Sequence, residues 1–258
     1  MGSASREALA TASQTIHDRL EAAVPAELLS ISAALADQPA LANALSEATA
    51  EPESKRQLVA RVFSDLSAGA RGVIDAAVSE RWSNTEEFVA GVEELAVKAA
   101  AAQAANLDEE LLAVAELVDS DHDLELMLGS KLGEATAKAQ VLRKLLAGKV
   151  SDDTLRIAEQ IVSHPRGRRL SVALRQAART AADQAGKLLA LVTVAAPLDA
   201  LRQDRLQKAL SRNAGRPVKI STVVDPEVVG GIRVQIADEV IDGSVRRRLD
   251  DLRLQLAN

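Results

Sequence analysis

The chain has 258 residues, of which 47% are hydrophobic and 26% are charged, and its net charge is −6. These values are ordinary for a globular protein and exclude disorder throughout the chain. The absence of cysteine excludes disulfides, a thiolate nucleophile and a cysteine-ligated metal, and three histidines argue against a multi-histidine metal site. Only Phe63, Trp82 and Phe88 carry large aromatic rings, which argues against nucleic-acid-binding modules that stack bases.

Charge is divided unevenly along the chain. Residues 1–150 contain 24 Asp and Glu against 13 Lys and Arg, whereas residues 151–258 contain 13 against 18. This asymmetry indicates either two surfaces that face different partners or solvated faces of unequal charge. No apolar stretch is long enough to cross a bilayer, and the segment Met1–Arg6 lacks the apolar core of a secretory signal. We therefore expect a soluble cytoplasmic protein.

The chain is predicted to be helical from residue 4 to about 187, because strong helix formers dominate this stretch. The longest helix is expected from near Ser83 to about Ala105. One face of the first helix is marked by apolar residues at steps of three and four, namely Leu9, Ala12, Ile16 and Leu20. The high alanine content lets neighbouring helices pack closely, so we expect a compact bundle with few bulky core residues.

Two kinds of signal predict where these helices start. Proline near a helix start costs no hydrogen bond, and such prolines are Pro25, Pro39 and Pro52. Capping-box spacing occurs in two pairs, Ser54 with Gln57 and Ser83 with Glu86.

The helical part is predicted to contain an internal duplication. A shift of 83 positions superimposes apolar residues, a lysine and the breaks between helices. The matching pairs are Leu28 and Leu111, Leu41 and Leu124, Leu45 and Leu128, Lys55 and Lys138, Leu58 and Val141, Val62 and Leu145, Ile74 and Ile157, and Val78 and Ile161. The alternative is a chance alignment of leucine-rich helices. With duplication, the predicted domains are repeat 1 at 1–105, repeat 2 at 106–187 and a C-terminal module at 188–258.

The periodicity changes near residue 188, where β-branched runs and alternation replace the helical pattern. The first predicted elements are a strand at Leu188–Val194 and a helix at Asp199–Ser211 with Leu201, Leu206 and Leu210 on its apolar side. A strand through Val218, Ile220 and Val224 follows, and then a strand after Gly230-Gly231 with a short return at Val240 and Ile241. The last predicted element is a closing helix with Val245, Leu249, Leu252 and Leu256 on one face. The predicted fold class is therefore mainly α, a helical bundle with an internal repeat followed by a small α+β module of order β-α-β-β-α.

No catalytic motif occurs in the sequence: it has no phosphate loop, dinucleotide fingerprint, nucleophile elbow or zinc-protease helix. Asp119, Asp121 and Asp123 alternate as in a calcium loop, but Leu124 stands where that loop needs Gly and Ser130 where it needs Glu. An acidic connection between two helices is the favoured interpretation. We expect no catalytic residue, metal or cofactor.

Histidines and arginine clusters are predicted to have ordinary roles. His17, His122 and His164 have no neighbouring nucleophile or paired acid, so surface or capping positions are expected. The clusters His164–Arg169 and Arg246–Arg248 fit phosphate contacts, but no aromatic residues are interleaved with them. A solvated face or an acidic protein partner is the favoured interpretation, since the arginine fork suits carboxylates.

The C-terminal segment carries turn residues in a specific order. They are Asp225, Pro226, Gly230, Gly231, Asp242, Gly243, Ser244, Arg246 and Leu249, preceded by the strand-like segment Val192–Leu198. Over about 70 residues, their order and spacing resemble the delta subunit family of bacterial rotary ATP synthase, the counterpart of the mitochondrial oligomycin-sensitivity-conferring protein. The residues ahead of this segment resemble the family's helical bundle more loosely.

The turn residues among them also have a local structural explanation. Asp225-Pro226 favours a turn, and Gly230-Gly231 permits a left-handed backbone. Asp242 or Ser244 can cap the last helix while Gly243 makes the turn. A structural role is therefore favoured over direct contact with the b stalk.

The resemblance implies a non-catalytic stator subunit, present in one copy, without a cofactor. Its helical part would bind N-terminal helices of the alpha subunits, and its C-terminal module would hold the b subunit. It would be peripheral, on the cytoplasmic face of the bacterial membrane, and would reach the membrane only through the complex. The face formed by Leu9, Ala12, Ile16 and Leu20 would contact alpha if these residues are not core. The alternatives are a general helical adaptor and an enzyme of another kind.

The predicted repeat makes the chain longer than common members of the family. The segment His164–Leu170 resembles the stretch ahead of the last helix of the family's bundle. This favours the second repeat, completed by the chain's first helix, as the counterpart of that bundle.

Overall fold

The computed structural model describes residues 1–17, 19–130, 133–225, 230–236 and 239–242. The chain divides into two compact units, Met1–Gln184 and Ala185–Asn258. The described residues of the first unit are helical, and those of the second form a sheet with one helix. The predicted fold class is confirmed. The predicted boundary between residues 105 and 106 stays a prediction, because both sides of it belong to the first unit.

The first unit contains eleven helices in its described residues. They are α1 Ser3–Ser13, α2 Val24–Asp37, α3 Pro39–Ser46, α4 Pro52–Val62, α5 Ala68–Ser79, α6 Thr85–Gln103, α7 Leu107–Ser120, α8 His122–Gly129, α9 Ala135–Leu146, α10 Asp152–Ser163 and α11 Leu170–Gln184. In the described ranges, no helix has the length and apolarity that a bilayer crossing requires.

The prolines mark helix starts as predicted, but the capping boxes do not. Pro25, Pro39 and Pro52 each occupy the first or second position of a helix. Because Pro52 already starts α4, Ser54 lies inside the first turn and is not its cap. Ser83 is not the cap of α6 either, because the extended Asn84 accepts a hydrogen bond from the Glu87 N–H at 2.8 Å.

The helix boundaries repeat along the chain. A shift of 83 residues places both ends of α2 on those of α7 and both ends of α3 on those of α8. The start of α4 falls on the start of α9, and α5 corresponds to α10 with a shift of 84. The predicted internal repeat therefore consists of two successive sets of helices, α2–α5 and α7–α10.

The packing of these helices repeats as well. Helix α6 packs against α2, α1, α5 and α3, and α11 packs against their counterparts α7, α6, α10 and α8. Helix α6 therefore closes two bundles: it is the last helix of a first copy, α1–α6, and takes the place of α1 in a second copy, α6–α11. This shared position explains why α6 has 11 buried residues among 19.

A carboxylate on a helix N-cap recurs in both copies. Glu27 of α2 accepts from the Ser67 hydroxyl at 2.5 Å and from its N–H at 3.1 Å. Glu110 of α7, 83 residues later, accepts from the Ser151 hydroxyl at 2.6 Å and from its N–H at 2.8 Å. Ser67 and Ser151 are the N-caps of α5 and α10. In the first copy this contact fixes the start of α5 against α2. In the second copy it fixes the start of α10 against α7.

The first copy is packed around its single tryptophan. Trp82 is buried, its indole N–H donates to the Ala77 carbonyl at 2.8 Å, and its ring meets Phe88 edge to face with centroids 5.6 Å apart. A Cβ atom built on Gly91 of α6 would lie 2.2 Å from the ring atom Cη2 of Trp82. Glycine at this position therefore allows the ring to rest directly on the helix backbone.

The second unit contains a four-stranded sheet in its described residues. The elements are β1 Leu188–Val194, α12 Ala200–Ala214, β2 Val218–Val224, β3 Ile232–Ile236 and β4 Glu239–Asp242. The strand order is β2-β1-β3-β4, with β1 parallel to β2 and the other neighbours antiparallel. The predicted strands and the short return are confirmed, and the predicted closing helix lies outside the described residues.

Helix α12 covers this sheet with a narrower face than predicted. Leu210 is buried and Leu206 packs against the core of β1, β2 and β3, but the Leu201 side chain is 60% exposed. Leu201 is five positions from Leu206, about 140° around the helix, and therefore points away from the sheet. The prediction that Leu201 shares the apolar side is wrong.

We predict that Gly91→Ala destabilises the protein by about 1–3 kcal/mol, because the added methyl group displaces the Trp82 ring. Gly72→Ala is the matched control, since Gly72 is an exposed helical glycine with no atom within 4 Å of the added Cβ. It should raise stability by about 0.5–1 kcal/mol. Urea unfolding followed by circular dichroism measures both, and equal effects would contradict the packing described.

The contact of Glu110 should appear as pH-dependent stability. Burial alone would raise the pKa of Glu110, but hydrogen bonds from Ser151 and Thr154 outweigh it and hold that pKa below its ordinary value of 4.5. The stabilisation is thus present above about pH 4.5 and is lost as pH falls through the lower folded-state pKa. Glu110→Gln should cost about 1.5–3 kcal/mol at pH 7.

This cost should shrink when unfolding is measured at pH values progressively below 4.5, where the wild-type carboxylate becomes protonated. Glu7→Gln, which changes an exposed carboxylate of α1, is the control and should have little effect at any pH. If Glu110→Gln lowered the free energy of unfolding by the same amount at every pH down to about 2.5, the charge of Glu110 would not contribute to stability.

Candidate docking surfaces

The predicted partner-facing stripe of the first helix lies inside the protein. Leu9, Ala12 and Ile16 are buried, and Leu20 is half-buried with its Cδ2 atom close to Gly69. Helix α1 ends at Ser13, so Ile16 and Leu20 lie beyond it and the predicted helix is too long. In the described structure these side chains serve the core, which is one of the two alternatives that the sequence leaves open.

Several exposed large apolar side chains are found on the second copy. We call Leu117 of α7, Leu126 and Met127 of α8 and Val172 of α11 the apolar surface; these side chains are between 40% and 57% exposed. Helix α8 packs against both α7 and α11. The matching positions of the first copy, 83 residues earlier, are Ala34, Asn43, Ala44 and Val89. Small, polar or buried residues therefore stand in the first copy where the second exposes apolar ones.

A groove of about 750 Å³ adjoins this surface and is lined by Leu126. Its walls come from α8, α9, the end of α10 and the loop that leads into α11. Pro165, Val162 and Leu170 provide further apolar lining, and Lys138, Arg168, Arg169, His122 and Glu125 provide polar lining. An apolar floor with charged groups at defined places is suited to a side chain or helix from another protein.

Arginines of the loop 164–169 pair with acids far away in sequence. Arg166 and Arg168 both meet Glu93 of α6, at 2.5 and 3.0 Å. The Glu93 side chain is buried, so two guanidinium groups compensate one buried carboxylate. The favoured interpretation of this cluster as a solvated or partner-facing surface is therefore wrong for Arg166 and Arg168, which are half-buried in intramolecular ion pairs.

A second buried carboxylate anchors the same loop to α8. Glu125 accepts from Arg169 at 2.6 Å and from the Ser171 hydroxyl at 2.6 Å. Burial opposes ionisation of Glu125, but these hydrogen bonds prevail and lower its pKa. Arg169 keeps 69% of its side chain exposed and lies on the wall of the groove.

Asp119 and Asp121 have structural partners. Asp121 caps α8 by accepting from the Leu124 N–H at 3.0 Å, and Asp119 pairs with Arg175 at 2.7 Å, as an acidic helix connection requires. Across the described ranges, no group of three or more His, Asp or Glu could hold a metal ion.

Two histidines contact neighbouring polar groups and the third begins a helix. The ring of His17 accepts from the Arg19 N–H at 3.2 Å, and His164 contacts Asp37 at 3.1 Å. His122 is the first residue of α8 and lines the groove.

The described C-terminal motif residues shape the sheet. The Asp225 N–H donates to the Val194 carbonyl at 2.8 Å, which continues the β1–β2 pairing into the turn. Gly230 and Gly231 have φ of 69° and 81°, the left-handed region that glycine permits. Asp242 ends β4 opposite Arg233. The other predicted motif residues, Pro226, Gly243, Ser244, Arg246 and Leu249, lie outside the described residues, as does the cluster Arg246–Arg248.

The family model of the ATP synthase delta (OSCP) subunit matches residues 92–256. The proteins called ATP synthase subunit delta from Leifsonia xyli and Streptomyces griseus are 42% and 37% identical to this chain, each over 100% of both chains. A similar protein from Nocardia farcinica is 34% identical over 99% of this chain and 97% of its own. A chain of the cryo-EM structure of the Toxoplasma gondii mitochondrial ATP synthase hexamer aligns with 64% of this chain and 96% of its own, at 21% identity and a TM-score of 0.41.

The matched segment begins inside α6 and continues through α11 into the second unit. The helix that completes the second copy is therefore α6, and the expectation that the chain's first helix completes it is wrong, since α1 packs against α5 and α6. With the model covering more than half of the residues and relatives matching over the full length, the chain belongs to the ATP synthase delta (OSCP) subunit family.

Proposed function

We propose that this chain is a non-catalytic stator subunit of a rotary proton-translocating ATP synthase, linking alpha subunits of the catalytic head to the b stalk. The observation that carries the proposal is the family match over 92–256, which spans the second copy and the C-terminal unit. Full-length relatives called ATP synthase subunit delta support it. The chain acts by holding two partners together against rotor torque, so that proton flow drives nucleotide chemistry instead of rotating the head.

The second copy binds the alpha subunits through the apolar surface. An amphipathic helix that places its apolar face on Leu126, Met127 and Val172 removes these exposed side chains from water. The first copy has no equivalent exposed apolar residues at the matching positions. The family match, which omits most of the first copy, supports the same assignment.

The second unit holds the end of the b stalk. Its described residues expose Leu201 on α12, Val224 on β2 and Val240 on β4. Strands β2 and β4 are the two edges of the described sheet. Exposed apolar groups near sheet edges are suited to a protein contact. The chain is then a peripheral subunit on the cytoplasmic face of the bacterial membrane, attached to it through b.

Truncation to residues 1–184 tests the division of labour, because the cut follows the boundary between the two units. The truncated chain should still co-purify with alpha subunits but lose the b subunit. A gentle pull-down from membranes, with the full chain as control, measures both. Retention of b by the truncated chain would refute the role given to the second unit, and failure of the full chain to retain alpha and b would favour a general adaptor.

Replacing Leu126 and Val172 together by Asp should weaken binding of the catalytic head by about tenfold or more, since both charges would be buried in the interface. Val62→Asp is the matched control, because Val62 is 46% exposed on α4 of the first copy. Surface plasmon resonance with the isolated head gives the affinities. If Val62→Asp weakened binding as strongly as the double variant, the second copy would not be the specific site.

A further inference from the structure

The groove beside the apolar surface has an excess of positive charge. Lys138, Arg168 and Arg169 line it, and Arg166 stands in the same loop as the two arginines. The carboxylates within salt-bridge distance of these four cations, among the described residues, are Glu93 and Glu125. Three of the four cations belong to residues 151–258, the part of the chain in which Lys and Arg outnumber Asp and Glu. A ligand with negative charge is therefore favoured here.

The Lys138 ammonium makes the clearest contribution to this surplus. It donates to the backbone carbonyl of Ser130, a neutral acceptor, and no carboxylate of the described residues lies within salt-bridge distance of it. Burying an ammonium group next to apolar surface is unfavourable without a counter-ion. No carboxylate of the described residues supplies that counter-ion, so a bound partner would have to provide it.

The first copy also has a lysine at the position that matches Lys138. Lys55, which matches Lys138, is 5% exposed, and burial lowers its pKa while the nearby charge of Glu47 acts in the opposite direction. The position that matches Glu47 in the second copy is 130, which is Ser. The second copy thus keeps the lysine, opens a groove beside it and replaces the acid by a neutral residue.

We infer that this groove binds an apolar segment of the alpha subunit that carries an Asp or Glu, whose carboxylate pairs with Lys138. This inference rests on the proposed function and specifies its chemistry. Apolar side chains of the segment contact Leu126 and Pro165, and the carboxylate fixes its register along the groove. Arg169, with most of its side chain exposed, provides a second donor for the same segment.

The test is the affinity of the isolated catalytic head for the full chain with Lys138→Glu, with Lys138→Gln and without substitution. Lys138→Glu should weaken binding about tenfold, and Lys138→Gln should weaken it less while reducing its dependence on salt. Gln keeps a donor for the Ser130 carbonyl, so it controls for a local packing defect. Lys144→Glu on the same helix α9 is the matched charge control outside the groove lining and should bind like the wild type.

A reciprocal substitution identifies the partner carboxylate. Changing the acidic residues near the alpha N-terminus one at a time to Lys should weaken binding to the wild type, and one of them should restore binding to Lys138→Glu. If Lys138→Glu bound the head with the same affinity as the wild type, this inference would be overturned and the stator function would be unaffected. No binding of the head by the wild type would overturn both.

Other occupants give distinguishable results. If a few millimolar inorganic phosphate displaced the head from the wild type but not from Lys138→Gln at constant ionic strength, the groove would be a site for a free anion and the inference would fail. If light scattering showed a dimer of the wild type and a monomer of Lys138→Glu, the occupant would be a second copy of this chain, which also overturns it.

Discussion

The burial of helix α6 between two bundles is the constraint on which the helical unit depends. A helix that packs against α1, α2, α3 and α5 on one side and α7 and α11 on another must be apolar or small on most of its surface. Its run of alanines and Gly91 meet this requirement, because they let neighbouring backbones and the Trp82 ring approach closely. The buried Glu93 is the exception, and two arginines from the second copy compensate it.

The two copies share a framework but differ in what they expose. The N-cap contacts of Glu27 and Glu110 and the packing partners of α6 and α11 are the same in both. The apolar surface, the open groove and the neutral residue at position 130 belong to the second copy. Duplication preserves the contacts that hold a bundle together, whereas surface positions diverge, so a comparison of the copies separates structural residues from candidate binding residues.

Elements with strong local patterns could be predicted from the sequence, and long-range pairing could not. The β-branched run at Leu188–Val194 and the prolines at helix starts are determined by local stereochemistry. The partners of Arg166 and Arg168 depend on α6, more than seventy residues earlier in the chain. The stripe that begins with Leu9 is apolar whether it faces a partner or the core, so periodicity alone does not decide between them.

Sharing α6 also determines how the helical unit responds to mechanical load. Tandem domains usually meet at a loop, which bends readily and lets each domain swing on its own. Here the last helix of one bundle is the first helix of the next, so bending between them would require breaking hydrogen bonds within a 19-residue helix. Force that enters at α7–α11 passes to α1–α5 through the continuous helix α6, so the two bundles resist bending relative to each other.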